Sequence, residues 1–420
     1  MSAFMRLASV FACLATSGVA LAQPIVLGAD VDSLLALVRQ DNPAFAAEGF
    51  ETDAARERVG AAGALPDPRF TLELMDVTNT MSGGSPSVLP GRVGETRYRI
   101  VQPLPGWGKR ALETEAAVAS AAQAEAARDG AWRTLEAAVR SAWLRYYQAE
   151  RELQFSREQQ GLLSSLEAAA LARYRSGEGS QQDVLQAQRE ASAQRLGVLA
   201  IEQRRQAAVA QLNALLGRAP DAPLAAPLAP APLPARLEFA ALVERARLAH
   251  PEVRAEAVGV DAARIERERA RRERQPDYAV GVTYNRPREG RESWDLMFEV
   301  MIPLQQGVRD ARQRETAALG LAAEARRRAA ETRIAGELGA AWSSWRAASD
   351  SLQLLRSTLL PQAEAGRDAA RAGLVGNQVG IGEVLMAEGQ VLDTRLALLQ
   401  AEIEARMALI ELQRLSGELE

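Results

Sequence analysis

Thiols are almost missing from this chain. Of its 420 residues one is a cysteine, Cys13, and it lies in an N-terminal stretch patterned like a secretory signal. The mature chain is therefore expected to hold neither a disulfide nor a reactive thiolate. Histidine is as scarce: His250 stands alone, directly before Pro251, where it suits capping or turning the chain better than acting as a base. No glycine-rich phosphate loop, Cys/His cluster or nucleophile elbow occurs, so the usual signatures of an enzyme, of a metal site and of a bound cofactor are all lacking. Excess charge of one sign is lacking too. The 50 basic and 54 acidic residues leave a net charge of -4, without a basic stripe interleaved with aromatics, and nucleic acid is not an expected partner. Beyond residue 22 there is no apolar run of about eighteen residues, so if the mature chain crosses a membrane it must do so as a β-barrel.

Residues 1–22 carry the signal. Arg6 precedes an apolar run from Leu7 to Leu21, and Ala20-Leu21-Ala22 offers small residues for cleavage, which predicts a mature start at Gln23. Lipidation of Cys13 is disfavoured, because Val10-Phe11-Ala12 sets a bulky residue beside the small one and apolar sequence runs on past the cysteine.

Proline is missing from Lys109 to Ser176, and only Gly130 and Gly161 weaken the helical pattern. One helix of that length spans roughly 100 Å. Trp132, Val139, Tyr146 and Leu153 recur every seven residues, with Leu135, Ala142 and Ala149 between them, so one seam meets a partner helix. Ten alanines between Ala111 and Ala131 are spread around the helix, allowing neighbours to approach on more than one side. Such a helix belongs in a ring or wall of helices.

The chain is written twice. Asn42-Pro43 matches His250-Pro251, Asp53-Ala54-Ala55-Arg56 matches Asp261-Ala262-Ala263-Arg264, and Pro68-Arg69-Phe70 matches Pro276-Asp277-Tyr278, at an offset of 208. Pro103-Leu104 then matches Pro303-Leu304, and Asp183-Val184-Leu185 matches Glu383-Val384-Leu385, at an offset of 200. The eight extra residues of the first copy fall in the Ser/Gly/Pro-rich loop from Thr78 to Gly94. Each copy reads helix, strand, strand, long helix, turn, helix. The first repeat covers 23–217, with a β-hairpin at about 70–102 and a helical hairpin at about 109–217. A proline-rich connector covers 218–236. The second repeat covers 237–420, with a β-hairpin at about 277–302 and a helical hairpin at about 308–416. The first helix of each copy is expected to run unbroken, about Asp30 to Ala64 and Phe239 to Arg274, and with the return helix to match the long helix in height.

All four strand segments alternate. Tyr278, Val280, Val282 and Tyr284 share a face, as do Trp294, Leu296, Phe298, Val300 and Ile302, while Glu73, Asp295 and Glu299 lie on the opposite face with Met75, Met297 and Met301. That pattern suits a membrane barrel, apolar outward and charged inward, and equally a soluble sandwich with one wet face. Four strands cannot close a barrel, but three chains would supply twelve.

The signal, the duplicated plan, and the segments Val101-Gln102-Pro103-Leu104-Pro105-Gly106-Trp107-Gly108-Lys109-Arg110 and Val300-Met301-Ile302-Pro303-Leu304 together resemble the TolC-type outer-membrane efflux family. The resemblance implies a mainly α fold with a membrane β-barrel portion: a homotrimer with a twelve-strand barrel in the outer-membrane lipid and a twelve-helix periplasmic tunnel. It implies an exit duct served by a periplasmic adaptor and a proton-driven inner-membrane pump. The segments Leu65-Pro66-Asp67-Pro68-Arg69-Phe70 and Gly94-Glu95-Thr96-Arg97-Tyr98 look most like the heavy-metal branch, whereas drugs or other small molecules are the alternative cargo. A periplasmic coiled-coil adaptor or scaffold is the alternative outside the family. Residue by residue, Glu383 takes the place of the first gate aspartate of the family and Met386 that of the second, so one acidic ring is missing. On its own chemistry Glu383 is equally a solvated acid near a helix N-terminus, and Asp183 is the weaker candidate in copy one. The turns holding Gly177 and Gly179, and Gly373, Gly376 and Gly380, would face the adaptor, and glycine there also simply permits a tight reversal. Glu73, Asp295 and Glu299 would face the barrel lumen.

Overall fold

A computed structural model describes residues 27–81 and 83–417; the signal segment and Cys13 lie outside the described residues. The first copy runs α1 (Val31–Asp41), α2 (Pro43–Ala62), β1 (Arg69–Met75), β2 (Glu95–Leu104), α3 (Lys109–Ser176) and α4 (Gln181–Leu215). The second runs α5 (Phe239–Ala249), α6 (Pro251–Arg272), β3 (Asp277–Pro287), β4 (Ser293–Met301), α7 (Gln306–Leu354), a π turn (Leu355–Leu359), α8 (Leu360–Val375) and α9 (Ile381–Ser416).

The first helix of each copy is not continuous. It breaks at Asn42 and at His250, because the proline that follows each of them forbids the helical conformation to the residue before it and can itself only begin a new helix. Each breaking residue caps the new start. The side-chain oxygen of Asn42 accepts from the Phe45 N–H at 3.0 Å, and His250 Nδ1 accepts from the Glu252 N–H at 3.2 Å. The break also seats the return helix. Asn42 Nδ2 donates to the Leu215 carbonyl at the end of α4, 2.9 Å away, so α4 and α2 stack end to end alongside the unbroken α3.

α3 serves as the common wall. In its upper part Thr52 and Arg56 of α2 reach Ala124 and Glu125 on one side, while Ile265 of α6 packs with Leu112 and Ala119 on another. Lower down, Val139, Tyr146 and Leu153 of the seven-residue seam are buried, and Trp132 leans on Phe45 with ring centres 5.2 Å apart. Trp143 donates to the Gly28 carbonyl and the Tyr146 hydroxyl to that of Ala225, pinning the chain start and the proline-rich connector across the helices.

The second copy departs from the plan inside its long helix. The π turn ends two residues before Pro361, whose ring and missing N–H cannot be accommodated by a regular preceding turn. Position 161, its match in copy one, is a glycine, and α3 continues through it as regular helix. Among the described residues no helix is long and apolar enough to cross a membrane.

The strands form one antiparallel sheet in the order β1-β2-β3-β4. A second sheet does not occur among the described residues, so within one chain the alternative sandwich is not formed. The register puts Phe70, Ile100, Val282 and Leu296 in one row of a single face, and Tyr98, Tyr284 and Trp294 in another row of that face. Leu296, Phe298 and Trp294 are exposed on it. The opposite face holds Glu73, Arg97, Arg99, Thr283, Asn285, Asp295 and Glu299, so the alternation read along each strand becomes two continuous surfaces of opposite character. Both outer strands, β1 and β4, keep one edge unpaired within the chain.

Candidate functional site: hairpin tips and inner sheet face

The two helical turns share one backbone design. In copy one the N–H groups of Glu178 and Gly179 both donate to the Arg173 carbonyl, at 2.9 and 3.0 Å; in copy two Gln378 and Val379 donate to the Gly373 carbonyl, at 2.8 and 3.4 Å. The left-handed residue is Gly177 in the first turn (φ +80°) and Asn377 in the second (φ +54°). Asparagine tolerates that region better than most side chains. In the second turn the left-handed position is thus not a glycine, and Gly376 and Gly380 have ordinary φ values of -75° and -84°.

The remaining glycines answer to packing. A Cβ on Gly179 would sit 3.1 Å from the Arg173 Cβ, and one on Gly373 would sit 3.0 and 3.2 Å from the two Val379 methyls. Positions 173 and 179 are Arg and Gly, whereas their matches 373 and 379 are Gly and Val. One member of each pair must be bare, and the copies have chosen opposite members. Arg173 Nη2 also donates to Asn377 Oδ1 at 2.6 Å, tying the tips together.

The helix starts after the turns differ in chemistry. Ser180 and Asp183 form a capping box: the Ser180 hydroxyl accepts from the Asp183 N–H at 3.1 Å, and the Asp183 carboxylate accepts from the Ser180 N–H and hydroxyl at 3.1 and 2.8 Å. Gly380 stands where Ser180 would be and offers no side chain. Glu383, the match of Asp183, is consequently exposed with its carboxylate unbonded among the described residues. Met386, one turn on, is exposed on the same side of α9. Ile381 and Leu385 face the other way, into a tip core with Leu163, Ala170, Val184, Ala187 and Ala191.

A second acid of α9 escaped sequence reasoning. Glu388 is 3% exposed, and Arg371 of α8 donates from Nε to its Oε1 at 2.5 Å, with Nη2 equally close in the ion pair. Copy one has Leu171 and Gln188 at the matching places. Only the facing of α8 on α9 reveals the pair, since 17 residues and a turn separate its members.

On the polar face of the sheet Glu73 pairs with Arg99 at 3.4 Å, Asp295 accepts from Asn285 Nδ2, and Glu299 lines a cavity of about 380 Å³ with Arg69, Lys109, Asp277 and Met301. The methyl of Met297 lies against Gly281, a space-filling contact. No group of three or more acids or histidines fit to hold a metal ion occurs among the described residues. His250 is buried, and its pKa is lowered by that burial and by the charges of Arg414, Arg133 and Arg333 against the opposing pull of Glu252. It caps α6.

Solved structures repeat this fold. A membrane protein from Pseudomonas aeruginosa aligns with a TM-score of 0.78 at 18% identity, covering 93% of this chain and 91% of its own. The outer membrane protein VceC from Vibrio cholerae gives 0.74 at 17% identity, with 92% and 96% covered. The open state of the MtrE outer membrane channel from Neisseria gonorrhoeae gives 0.73 at 16%, with 93% and 90% covered. No curated protein matches the sequence. The family model for outer membrane efflux proteins matches twice, over residues 34–218 and 242–418, one match for each copy of the internal repeat. An adaptor or scaffold is thereby set aside, and the chain belongs to the outer membrane efflux protein family, a family of transport ducts in the outer membrane.

Proposed function

We propose that three copies of this chain form the exit duct of a tripartite efflux machine, with Glu383 as its periplasmic gate. The observation that carries the trimer is the sheet: four strands with one polar face, one apolar face and two free edges. Pairing β4 of one copy with β1 of the next closes twelve strands around the polar face, placing Glu73, Asp295 and Glu299 in the lumen and the apolar face in lipid. The helices of the three copies continue the barrel as a twelve-helix tunnel in the periplasm.

The gate reading rests on the carboxylate of Glu383, which has no capping duty and no ion pair among the described residues. Threefold symmetry sets three such acids around the pore, where they attract cations and repel one another. Met386 supplies an apolar ring one turn deeper in place of a second acidic one. The turns at Gly177 to Ser180 and Gly373 to Gly380 dock the periplasmic adaptor, which couples the duct to a proton-driven inner-membrane pump. Opening is a splaying of the tips driven by that docking, with no chemistry in this chain.

Heavy-metal cations are the proposed cargo, supported by the sequence resemblance around Leu65 to Phe70 and Gly94 to Tyr98. Replacing Glu383 with alanine in reconstituted trimers is expected to relieve block by multivalent cations and to shift conductance. Unaltered block and conductance would remove Glu383 from the gate. Deleting the gene is expected to sensitise cells to metal salts more than to drugs, and the reverse order would assign the duct to small molecules.

A further inference from the structure

Trp107 has no role in the duct as described, and its setting is unusual. The indole is 88% exposed, yet the turn that carries it, between β2 and α3, is held on every side. A Cβ on Gly106 would come within 2.5 Å of the Pro276 carbonyl, so this position must stay bare for the turn to press against the strand start of copy two. Gly108 has a φ of +79°, which favours glycine. Asp277 Oδ1 accepts from the Gly106 N–H at 2.6 Å and from Lys109 Nζ at 2.7 Å, and Lys109 Nζ also donates to the Gln275 carbonyl at 3.1 Å. Lys109 is the one lysine in a chain otherwise served by arginine. A large aromatic ring is thus displayed to solvent on a pinned turn, an arrangement that a merely tolerated surface residue does not need.

The exposure is not owed to a missing neighbouring strand. β2 is an inner strand of the sheet, paired with β1 and β3 within the same chain. Its apolar face begins with Tyr98, in the same row as Tyr284 and Trp294, whose rings stack with centres 5.9 and 4.9 Å apart. Below that aromatic row come Ile100, Val282, Leu296, Val280 and Phe298. Trp107 follows Tyr98 by nine residues. Extended chain covers at most about 30 Å over that distance, and strands tilted by about 35–45° reduce it to roughly 21–25 Å along the membrane normal, close to the roughly 25 Å height of the apolar band of an outer-membrane barrel. Tryptophan prefers the headgroup level, where its ring meets apolar chains and its N–H meets water.

We propose that Trp107 is the periplasmic-side membrane anchor of this barrel, its indole seated at the headgroup and glycerol level of the inner leaflet, opposite the Tyr98, Tyr284 and Trp294 row at the outer leaflet. The inference rests on the outer-membrane reading of the sheet. Its occupant is phospholipid. The knot of Gly106, Gly108, Lys109 and Asp277 fixes the depth of the ring relative to the start of the helical tunnel.

The test is fluorescence of the full-length trimer in phospholipid vesicles containing brominated lipid, with the emission of Trp107 obtained by difference from W107F and that of Trp294 by difference from W294F; W107Y serves as a second variant if W107F fails to assemble. Bromine near the glycerol end of the acyl chain is expected to quench the Trp107 component roughly twofold or more, and bromine near the terminal methyl much less. Trp294 should behave alike. If Trp294 is quenched by lipid while Trp107 responds only to aqueous iodide, the ring faces water and the anchor is overturned while the barrel stands. Protection of Trp107 from both quenchers would mean that protein covers it, which also overturns the proposal. If lipid quenches neither ring, the membrane reading of the sheet falls together with the anchor.

Discussion

The two helical hairpins carry the same backbone and different chemistry. In copy one the turn is sealed by a capping box, and the residues at 171 and 188 are Leu and Gln. In copy two the cap is gone, the buried carboxylate of Glu388 on α9 pairs with the half-exposed Arg371 of α8, Ala363 is the one buried residue of α8, and a π turn interrupts the long helix above it. The first tip is therefore held by local hydrogen bonds that form with the helix itself. The second is joined through two long-range ion pairs, Arg371–Glu388 and the half-exposed Arg395–Glu364, and a thin apolar contact. On the duct proposed above, this difference makes the second hairpin the one expected to open at lower cost, and the proposed gate residue lies on it.

Removing the charged pair tests this most severely. R371L strands the Glu388 carboxylate in a nearly dry site, a loss of about 2 kcal/mol, reduced from the usual range because Arg371 itself is half-exposed. Hydrogen exchange along α8 and α9 should accelerate accordingly. The double variant R371L/E388Q, which installs the residues of copy one, should recover most of that protection because it removes the stranded charge; no recovery would mean that the loss in R371L does not come from an unpaired Glu388 carboxylate.

Next in size is the glycine exchange. G373A pushes a methyl onto Val379 and should destabilise the second turn by about 1–2 kcal/mol. V379G in the same chain should relieve that contact, so a double-mutant cycle in local exchange rates should show favourable coupling. Additive effects would refute the reading of positions 173/179 and 373/379 as matched pairs.

The caps come third. S180A should loosen the start of α4 by about 1 kcal/mol, whereas G380S, placed where nothing lies within 4 Å of the new Cβ, should tighten the start of α9 by a somewhat smaller amount. A captured Glu383 carboxylate would then also weaken cation block. Conductance traces of G380S trimers at varied divalent concentration give the readout.

The smallest effect concerns the helix breaks, capped by Asn42 in one copy and His250 in the other. A histidine whose folded pKa is depressed binds its proton more readily when unfolded. The stability it confers is complete above the ordinary pKa of about 6.5 and is lost as the pH falls from there through the lower folded value. Thermal melts should show this acid sensitivity in the wild-type protein and lack it in H250N, which borrows the cap of copy one.

Much of this architecture is written in local sequence. A helix with no proline, a period of seven, an alternation of two and an internal repeat each constrain the chain over a few residues at a time, and the order of elements and the apolar and polar faces of the sheet follow from them. Local signals could also have revealed more than was read from them. Pro361 marks the π turn, and Pro43 and Pro251 mark the breaks in the first helices, because the rules for proline are local. Other features were beyond that reach. Glu388 is one of 54 acids until α8 docks on α9 with a rotation that buries it against Arg371. Asn377 is one of five asparagines, with nothing to set it apart, until the turn needs a left-handed residue there. Glycine at 373 has no evident reason until Val379 lies across it. The sequence by itself determined the duplicated plan, the helix lengths and the two-faced strands, since these depend on periodicity. Only the tertiary structure decided which carboxylates are capped, paired or left free, because that depends on which faces of distant helices meet.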